Sequence, residues 1–485
     1  MLAVIFADIN PNQMKKYFFL FTLVSLSFNN AVAQSKGNEN KVARLDSLYS
    51  ALHNSGIFNG NVLIAESGKT IFQKSYGLAN EKTKVKLNSK TAFELASVSK
   101  QFTAMAIVLL NNQGKLSYSD DIAKHLPELS GYKGITIQNL LVHTGGLPDY
   151  MQFAGEHLDM AKIATNQDIL NIMKKITPKP VFEPGEKWQY SNTGYLILGS
   201  LIEKVSGKSF GVFLNENIFK PLKMDRTFVY RRRFNPEKIK NYADGYIYSD
   251  SLKRKILPDE IGKEYYVVVL DGIVGDGMVN STTEDLLKWD RALYANKFIS
   301  DADRQMIFSS YKTNAGKETD YGFGWNIKNS KEFGKTASHS GGWGGYITYI
   351  ERDLDHDKTI IILQNNDTEK TKIPAKDTRQ ILYNLPIEKP ITVSEDILKK
   401  YAGIYVTSDG KESNVIFEEG KLFIPFNPEL KLELIPVSAT KFIVDGFSPE
   451  VTYTFILNEQ GEVAKYRVQQ IEQGVDKESV RKKIE

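Results

Sequence analysis

The alternation of apolar and polar positions divides the chain into elements. Residues 41–55 place Val42, Leu45, Leu48 and Leu52 at helical spacing, which predicts an opening helix. The stretch GNVLIAESGKTIFQKSYGLAN then predicts two strands joined at Ser67-Gly68, a hairpin. A long apolar run follows in FELASVSKQFTAMAIVLLNNQGKL. It predicts a helix opening at Ser97, pinned by Phe102, Met105, Ala106 and Leu109 and closed by Gly114. From 115 to about 290, helical stretches alternate with loops rich in Gly, Pro and Asn, and strands return over 321–367 as YGFGWNI, ASHSGGWGGYITYIERD and KTIIILQNND.

Strands at both ends with helices between them predict an α+β fold. One antiparallel sheet is assembled from distant parts of the chain and flanked by helices, with a helical region beside it. After Pro390 the pattern changes to short alternating strands with tight turns such as Glu419-Gly420: YAGIYV, NVIFEEGKLFIPF, KLELIPV, KFIVDG, TYTFIL and AKYRVQQ. These predict a small all-β, barrel-like domain over 389–485, following a domain over 34–388, with the tail from Glu472 expected to fray.

The first residues are set apart by composition. From Met14, MKKYFFLFTLVSLSFNNAVAQ has two lysines, a short apolar run and the small-x-small triplet Ala31-Val32-Ala33. This is the pattern of a secretory signal over residues 1–33 with its working start at Met14, and it implies export and no membrane span after cleavage. The remaining composition is ordinary globular, 41% hydrophobic and 25% charged. A formal charge of +4, from 62 basic and 58 acidic residues, with no dense basic block, argues against nucleic acid as partner. Without cysteine, and with six histidines but no HExxH, the chain offers no zinc or iron–sulfur motif and no disulfide. No metal or other cofactor is expected.

Three short motifs carry candidate chemistry, and each has a bland alternative. Ser-x-x-Lys occurs six times, but only the copy at Ser97 opens a long apolar helix. There Lys100 lies one turn from Ser97, near enough to act as its base if the pair is dry; otherwise Ser97 is an N-cap and Lys100 a solvated lysine. Tyr190-Ser191-Asn192 precedes an apolar helix over 193–205: Tyr190 is a proton shuttle or a core aromatic, and the Asn192 amide can hold a substrate carbonyl and orient the lysine. A second Tyr-x-Asn, at Tyr294-Ala295-Asn296, ends a helix and reads as structural. His339-Ser340-Gly341-Gly342 opens a strand of small residues: either an edge where a substrate backbone can pair, with Gly342 N–H joining Ser97 N–H as oxyanion donors, or a glycine-rich bulge. The similar triplet His143-Thr144-Gly145 reads as a helix stop.

Taken together and in this order, Ser-x-x-Lys, Tyr-x-Asn and His-Ser-Gly resemble the serine β-lactamase and penicillin-binding protein superfamily. The closest likeness is to the class C β-lactamase and D,D-peptidase branch. Segments such as FELASVSKQFTA, ITIQNLLVHTGGLPDY, FEPGEKWQYSNTGYLILGSLIEKVSG, GDGMVNSTTEDLLKW and HSGGWGGY extend the resemblance over 55–370, and the C-terminal region resembles a lipocalin-like β domain. The resemblance implies an exported serine hydrolase that cleaves an amide or ester through a Ser97 acyl-enzyme, with β-lactamase-like, D,D-peptidase or esterase activity. Lys100 and Tyr190 would share the acid and base roles, Asn192 would hold the substrate amide, and His339, Ser340, Gly341 and Gly342 would line the substrate strand. A small-molecule or peptide substrate, peptidoglycan-derived compounds included, and a periplasmic or secreted location go with it. His339 stands where relatives often carry lysine, so carboxylate-bearing substrates are expected to gain only as acid protonates it near pH 6. No carboxylate stands out as a water activator for deacylation, which leaves Tyr190. The alternatives are a penicillin- or cell-wall-peptide-binding sensor without turnover, and a binding protein whose business lies in residues 390–485.

Overall fold

The computed structural model describes residues 39–295, 298–427, 430–444, 451–470 and 475–482. The expected signal segment, and Asn296 of the second Tyr-x-Asn, lie outside them. The chain divides into two compact units, one reaching to Ile327 and including Gly334–Leu382, the other comprising Lys328–Phe333 and the chain from Tyr383.

In the first unit the opening helix α1 spans residues 39–54. Strands β1 (Gly60–Glu66) and β2 (Lys69–Tyr76) form the expected hairpin, with Ser67 at φ 49° and Gly68 at φ 71°. Two consecutive left-handed residues make the tight turn whose twist matches the strands. Strands β3 (Asn326–Ser330), β4 (Gly334–Trp343), β5 (Tyr346–Asp353) and β6 (Lys358–Gln364) complete one sheet in the order β3-β4-β5-β6-β1-β2. Its closing pair is antiparallel, with Gly60 opposite Gln364 and Glu66 opposite Lys358, so distant parts of the chain meet in one ladder, as the sequence pattern requires.

Helices cover both faces, which is why β1 and β6 read as nearly unbroken apolar runs. On one face Leu63, Ala65, Ile350, Ile361 and Leu363 join a large core with helix α2 (Lys100–Asn112). On the other, Tyr49 of α1 packs against Phe58 and Phe72 at 5.1 and 5.9 Å between ring centroids. Its hydroxyl meets Thr378 of the helix Ala375–Leu382 at 2.8 Å. Beside α2 stand α3 (Ile137–Leu141), α4 (Asn166–Ile176), α5 (Asn192–Ser206) and α6 (Thr283–Ala292), the last held to α2 by Trp289 over Phe102 at 4.7 Å. Burial of each such side chain is worth roughly 1.5–3 kcal/mol.

The second unit is a closed antiparallel barrel: β7 (Gly403–Thr407), β8 (Glu412–Glu418), β9 (Lys421–Pro425), β10 (Lys431–Pro436), β11 (Lys441–Val444), β12 (Val451–Leu457), β13 (Val463–Gln470) and β14 (Val475–Arg481). Aromatic side chains fill the interior: Tyr401 on Phe455 at 4.3 Å, Tyr405 on Tyr466 at 4.7 Å, and Phe442 on Phe455 at 5.4 Å. Part of the tail expected to fray is instead a strand. Residues 475–481 pair with β13 on one side and with β7 on the other, Tyr405 opposite Arg481, and so remove both open edges. The pattern hid this strand because its inward residue is polar and its outward one apolar: Ser479 is buried, whereas Val480 is 59% exposed.

Candidate active site

The apolar run predicts an α-helix from Ser97, but Ala96–Ser99 is a tighter 3₁₀ turn and the α-helix starts at Lys100. Ser97 is no N-cap. The residues at the cap positions are Leu95 for the turn and Ser99 for the helix, neither with a side-chain cap bond, and the Ser99 hydroxyl instead accepts from Val279 N–H at 3.1 Å. The turn is possible because Ala96 takes a left-handed φ of 48°, a conformation costing a non-glycine residue roughly 1–2 kcal/mol. It is fastened on both sides: Leu95 N–H donates to Val279 O at 2.8 Å, and the Thr348 hydroxyl donates to Leu95 O at 2.7 Å. His143 (φ 57°) and Met278 (φ 71°), also left-handed, lie on two further segments that reach the same place. Backbone strain held this way by surrounding structure is typical of functional sites.

Lys100 is completely buried. Its Nζ lies 3.1 Å from Ser97 Oγ, 2.9 Å from Asn192 Oδ1 and 2.8 Å from the backbone oxygen of Asp276. Each acceptor is placed by its own scaffold. Asn192 is the first residue of α5; its backbone N–H and its side-chain amide both donate to Asp149 Oδ2, at 2.8 and 3.1 Å. The Asp276 carbonyl follows Gly275, whose own oxygen accepts from the Thr103 hydroxyl at 2.6 Å. Gly275 sits at φ 102° against the backbone of Tyr195 and Gly199, where no Cβ fits. The Asp276 carboxyl turns away to accept from the Tyr150 hydroxyl at 3.0 Å, and burial raises its proton affinity. Asp149 and Asp276 are carboxylates near the lysine that sequence reasoning did not single out.

Tyr190 stands beside the lysine, with Lys100 Nζ 5.0 Å from its ring centroid. Its hydroxyl is buried without a hydrogen-bond partner. The segment carrying it is clamped by His143, the residue read from sequence only as a helix stop. Gln189 N–H donates to His143 O at 3.0 Å, Ser191 N–H donates to His143 Nδ1 at 3.1 Å, and the imidazole packs 4.4 Å from the Tyr190 ring. His143 does follow α3 as expected, but it also belongs to this cluster. The available signal was the repeated triplet: His143-Thr144-Gly145 and His339-Ser340-Gly341 both bring their imidazole to Tyr190, the second at 6.1 Å.

The third motif is on β4. A Cβ on Gly341 would clash with Leu95 O and lie 3.0 Å from Ser97 N, so the absent side chain lets the strand pass directly over the Ser97 turn. His339 is buried. Its Nδ1 lies 2.7 Å from Ser340 O, a pure acceptor, so Nδ1 carries the proton and Nε2 accepts from the Tyr321 hydroxyl at 2.9 Å. Burial, with the Lys100 charge nearby, pushes its pKa down to about 3. The expectation that His339 becomes a cation near pH 6 is therefore corrected: both ring nitrogens are engaged and the ring stays neutral. His143 is likewise held well below the ordinary histidine range, by burial first and then by Lys100 and His339. Among the described residues no cluster of His, Asp and Glu could hold a metal ion, and no helix is long and apolar enough to cross a membrane.

A family profile described as Beta-lactamase matches residues 45–384. Penicillin-binding protein 4* of Bacillus subtilis (strain 168) is 42% identical over 455 residues, covering 92% of this chain and 100% of the relative. A putative D-alanyl-D-alanine carboxypeptidase of Escherichia coli (strain K12) is 25% identical over 378 residues, 70% of this chain and 86% of the relative. Among solved structures, the octameric penicillin-binding protein homologue from Pyrococcus abyssi aligns with a TM-score of 0.64 at 23% identity, covering 90% of this chain and 99% of the other. D-amino acid amidase from Ochrobactrum anthropi SV3 aligns at 0.58 and 22%, covering 72% and 99%. These two structures share the fold.

Proposed function

The chain belongs to the Beta-lactamase family, and on that premise we propose that it is an exported serine hydrolase that cleaves an amide or ester through an acyl-enzyme on Ser97. One observation carries the reading: a fully buried lysine amine 3.1 Å from Ser97 Oγ, whose other two partners can only accept. The Asn192 amide oxygen and the Asp276 carbonyl fix two N–H bonds of Lys100. The remaining tetrahedral direction points at Ser97, where the neutral amine presents a lone pair. As Oγ attacks the acyl carbonyl, its proton passes to Lys100. The Ser97 and Gly342 N–H groups receive the oxyanion, each such donor being worth about 3 kcal/mol. Tyr190, whose hydroxyl has no other partner, delivers a proton to the departing amine or alkoxide as the acyl C–N or C–O bond breaks. The phenolate left on Tyr190 is the base for the water that attacks the acyl group, and Lys100 returns its proton to Ser97 Oγ as the ester bond breaks.

Asn192 also contacts the substrate amide, and Ser340 to Gly342 present the strand edge along which the substrate lies. His339, neutral and tied to Tyr321, positions this edge and contributes no charge for a substrate carboxylate. That favours esters and amides over substrates defined by a free carboxylate. We infer the class C and D,D-peptidase branch for the front unit and a lipocalin-like character for the second, and the eight-stranded closed barrel supports the latter. The signal-like residues 14–33 support a periplasmic or secreted location. Labelling with a fluorophosphonate and with a labelled penicillin, mapped by mass spectrometry, tests the reading. An adduct on Ser97 that clears with time is expected. A Ser97 adduct that persists indicates a sensor, and no adduct on Ser97 overturns the reading.

A further inference from the structure

Three residues before Ser97, Glu94 is only 5% exposed, and its Oε1 is buried without a hydrogen-bond partner. It lines a small cleft with Arg232, Arg233, Tyr242, Trp343 and Tyr346, and the free space is that of one water-sized group. The two guanidiniums are already matched. Arg232 donates to Asp244 at 3.0 Å and also pairs with Asp259. Arg233 binds Asp259 at 2.8 and 2.9 Å and Asp271 at 2.9 Å. Glu94 is thus the fourth carboxyl facing two cations, and what the cleft lacks is a positive charge. The side chains of Tyr242, Trp343 and Tyr346 also line it, and Trp343 Nε1–H is buried without a hydrogen-bond partner. Burial, with Asp271 and Asp276 adding to it against the pull of the two arginines, pushes the Glu94 carboxyl up to about 8. A counter-ion entering the cleft would reverse that.

The cleft lies along the strand proposed to hold the substrate. Gly341 passes over Ser97, and Trp343 is two residues further along β4, about 7 Å at the usual strand rise. We propose that Glu94 and the aromatic walls of this cleft form a subsite for a primary ammonium group at the far end of the acyl donor. This rests on the Ser97 acyl-enzyme reading. An –NH₃⁺ has the size of the water the cleft admits and donates to the free Glu94 oxygen. A carboxylate would find both arginines occupied and an unpaired acid beside it.

The test compares two esters that differ only at that end, p-nitrophenyl 6-aminohexanoate and p-nitrophenyl heptanoate, whose terminal groups are –NH₃⁺ and –CH₃. The wild-type protein is expected to favour the amino ester in kcat/KM by about tenfold or more, in line with a charge-assisted hydrogen bond, and Glu94→Gln to bring the ratio to about one. The ratio is the readout, so a general loss of activity or of folded protein cancels. The same ratio in both proteins overturns the subsite and leaves the hydrolase reading standing. If neither ester is turned over, the hydrolase reading is what fails, and calorimetric binding of the pentylammonium ion decides the subsite. Binding to wild type that is lost in Glu94→Gln sustains it; equal binding to both, or none, overturns it.

Discussion

Lys100 and Arg352 are both buried basic side chains of the front unit, 0% and 1% exposed, and they differ in what surrounds them. Arg352 is locked on a carboxylate: its Nε donates to Asp290 Oδ1 at 2.6 Å, and its guanidinium lies 4.4 Å from the Tyr294 ring and 4.8 Å from the Phe308 ring. Asp290 also accepts from Thr359 at 3.0 Å and binds Arg291, so the cluster ties α6 to the sheet with every charge opposed by another. Lys100 is held by a hydroxyl, an amide oxygen and a backbone carbonyl, all formally neutral. Dipoles can satisfy an ammonium and an amine alike, whereas a carboxylate favours only the charged form.

The contrast breaks most sharply at the lysine. Lys100→Met is expected to lower the rate of Ser97 acylation by about 10³–10⁴-fold while the protein stays folded, as for the loss of an essential base; stopped-flow burst kinetics with a chromogenic ester, beside a thermal melt, check it. The arginine site should respond in the opposite coin. Asp290→Ala leaves a buried guanidinium without its partner and is expected to cost about 3–5 kcal/mol of stability, read from urea unfolding, because the charge has nowhere to go. Smaller than both is Gly341→Ala: its Cβ would clash with Leu95 O and press on Ser97 N, and moving the Ser97 turn by about 1 Å should slow acylation by about 10²-fold.

The smallest effect is a slope in pH. His339, held near 3 against an ordinary value of 6.5, takes up a proton on unfolding at any pH between those two. Its contribution to stability is therefore present above about 6.5 and is lost as pH falls, by about 1.4 kcal/mol per pH unit. His143 shifts in the same direction, so the two add. Urea unfolding at pH 6 and pH 5 should show this slope, and His339→Gln should remove about half of it. In the same range, kcat/KM for carboxylate-bearing esters should show no gain from protonation of His339.

Much of the fold was legible because burial on both faces leaves its mark. The strands Gly60–Glu66 and Lys358–Gln364 read as strands, and the hairpin at Ser67-Gly68 as a turn, from residue type alone. The strand Val475–Arg481 was not, since Ser479 faces inward and Val480 outward, which reverses the usual pattern. At the site, Ser97, Lys100, Asn192 and Tyr190 were visible through their spacing, and the structure does bring them together. His143 and Asp276 were obscured for different reasons. The first ends a helix, so a stop signal sufficed to explain it, although its imidazole also clamps the Tyr190 segment. The second acts through a backbone oxygen, which any residue supplies, and only the close packing around Gly275 fixes its direction.

The absence of cysteine from the sequence makes the central claim, that the Lys100 amine takes the Ser97 proton, directly testable. Lys100→Cys provides a single thiol, which can be alkylated in the unfolded chain before refolding. Bromoethylamine restores an amine of nearly lysine length, and a bromoethyl-trimethylammonium salt restores a permanent cation that cannot carry a proton. Acylation of Ser97, followed by mass spectrometry over time, is expected to return with the amine and not with the quaternary cation. Acylation of unmodified Lys100→Cys at the wild-type rate, or no return with the amine in refolded protein, would contradict it.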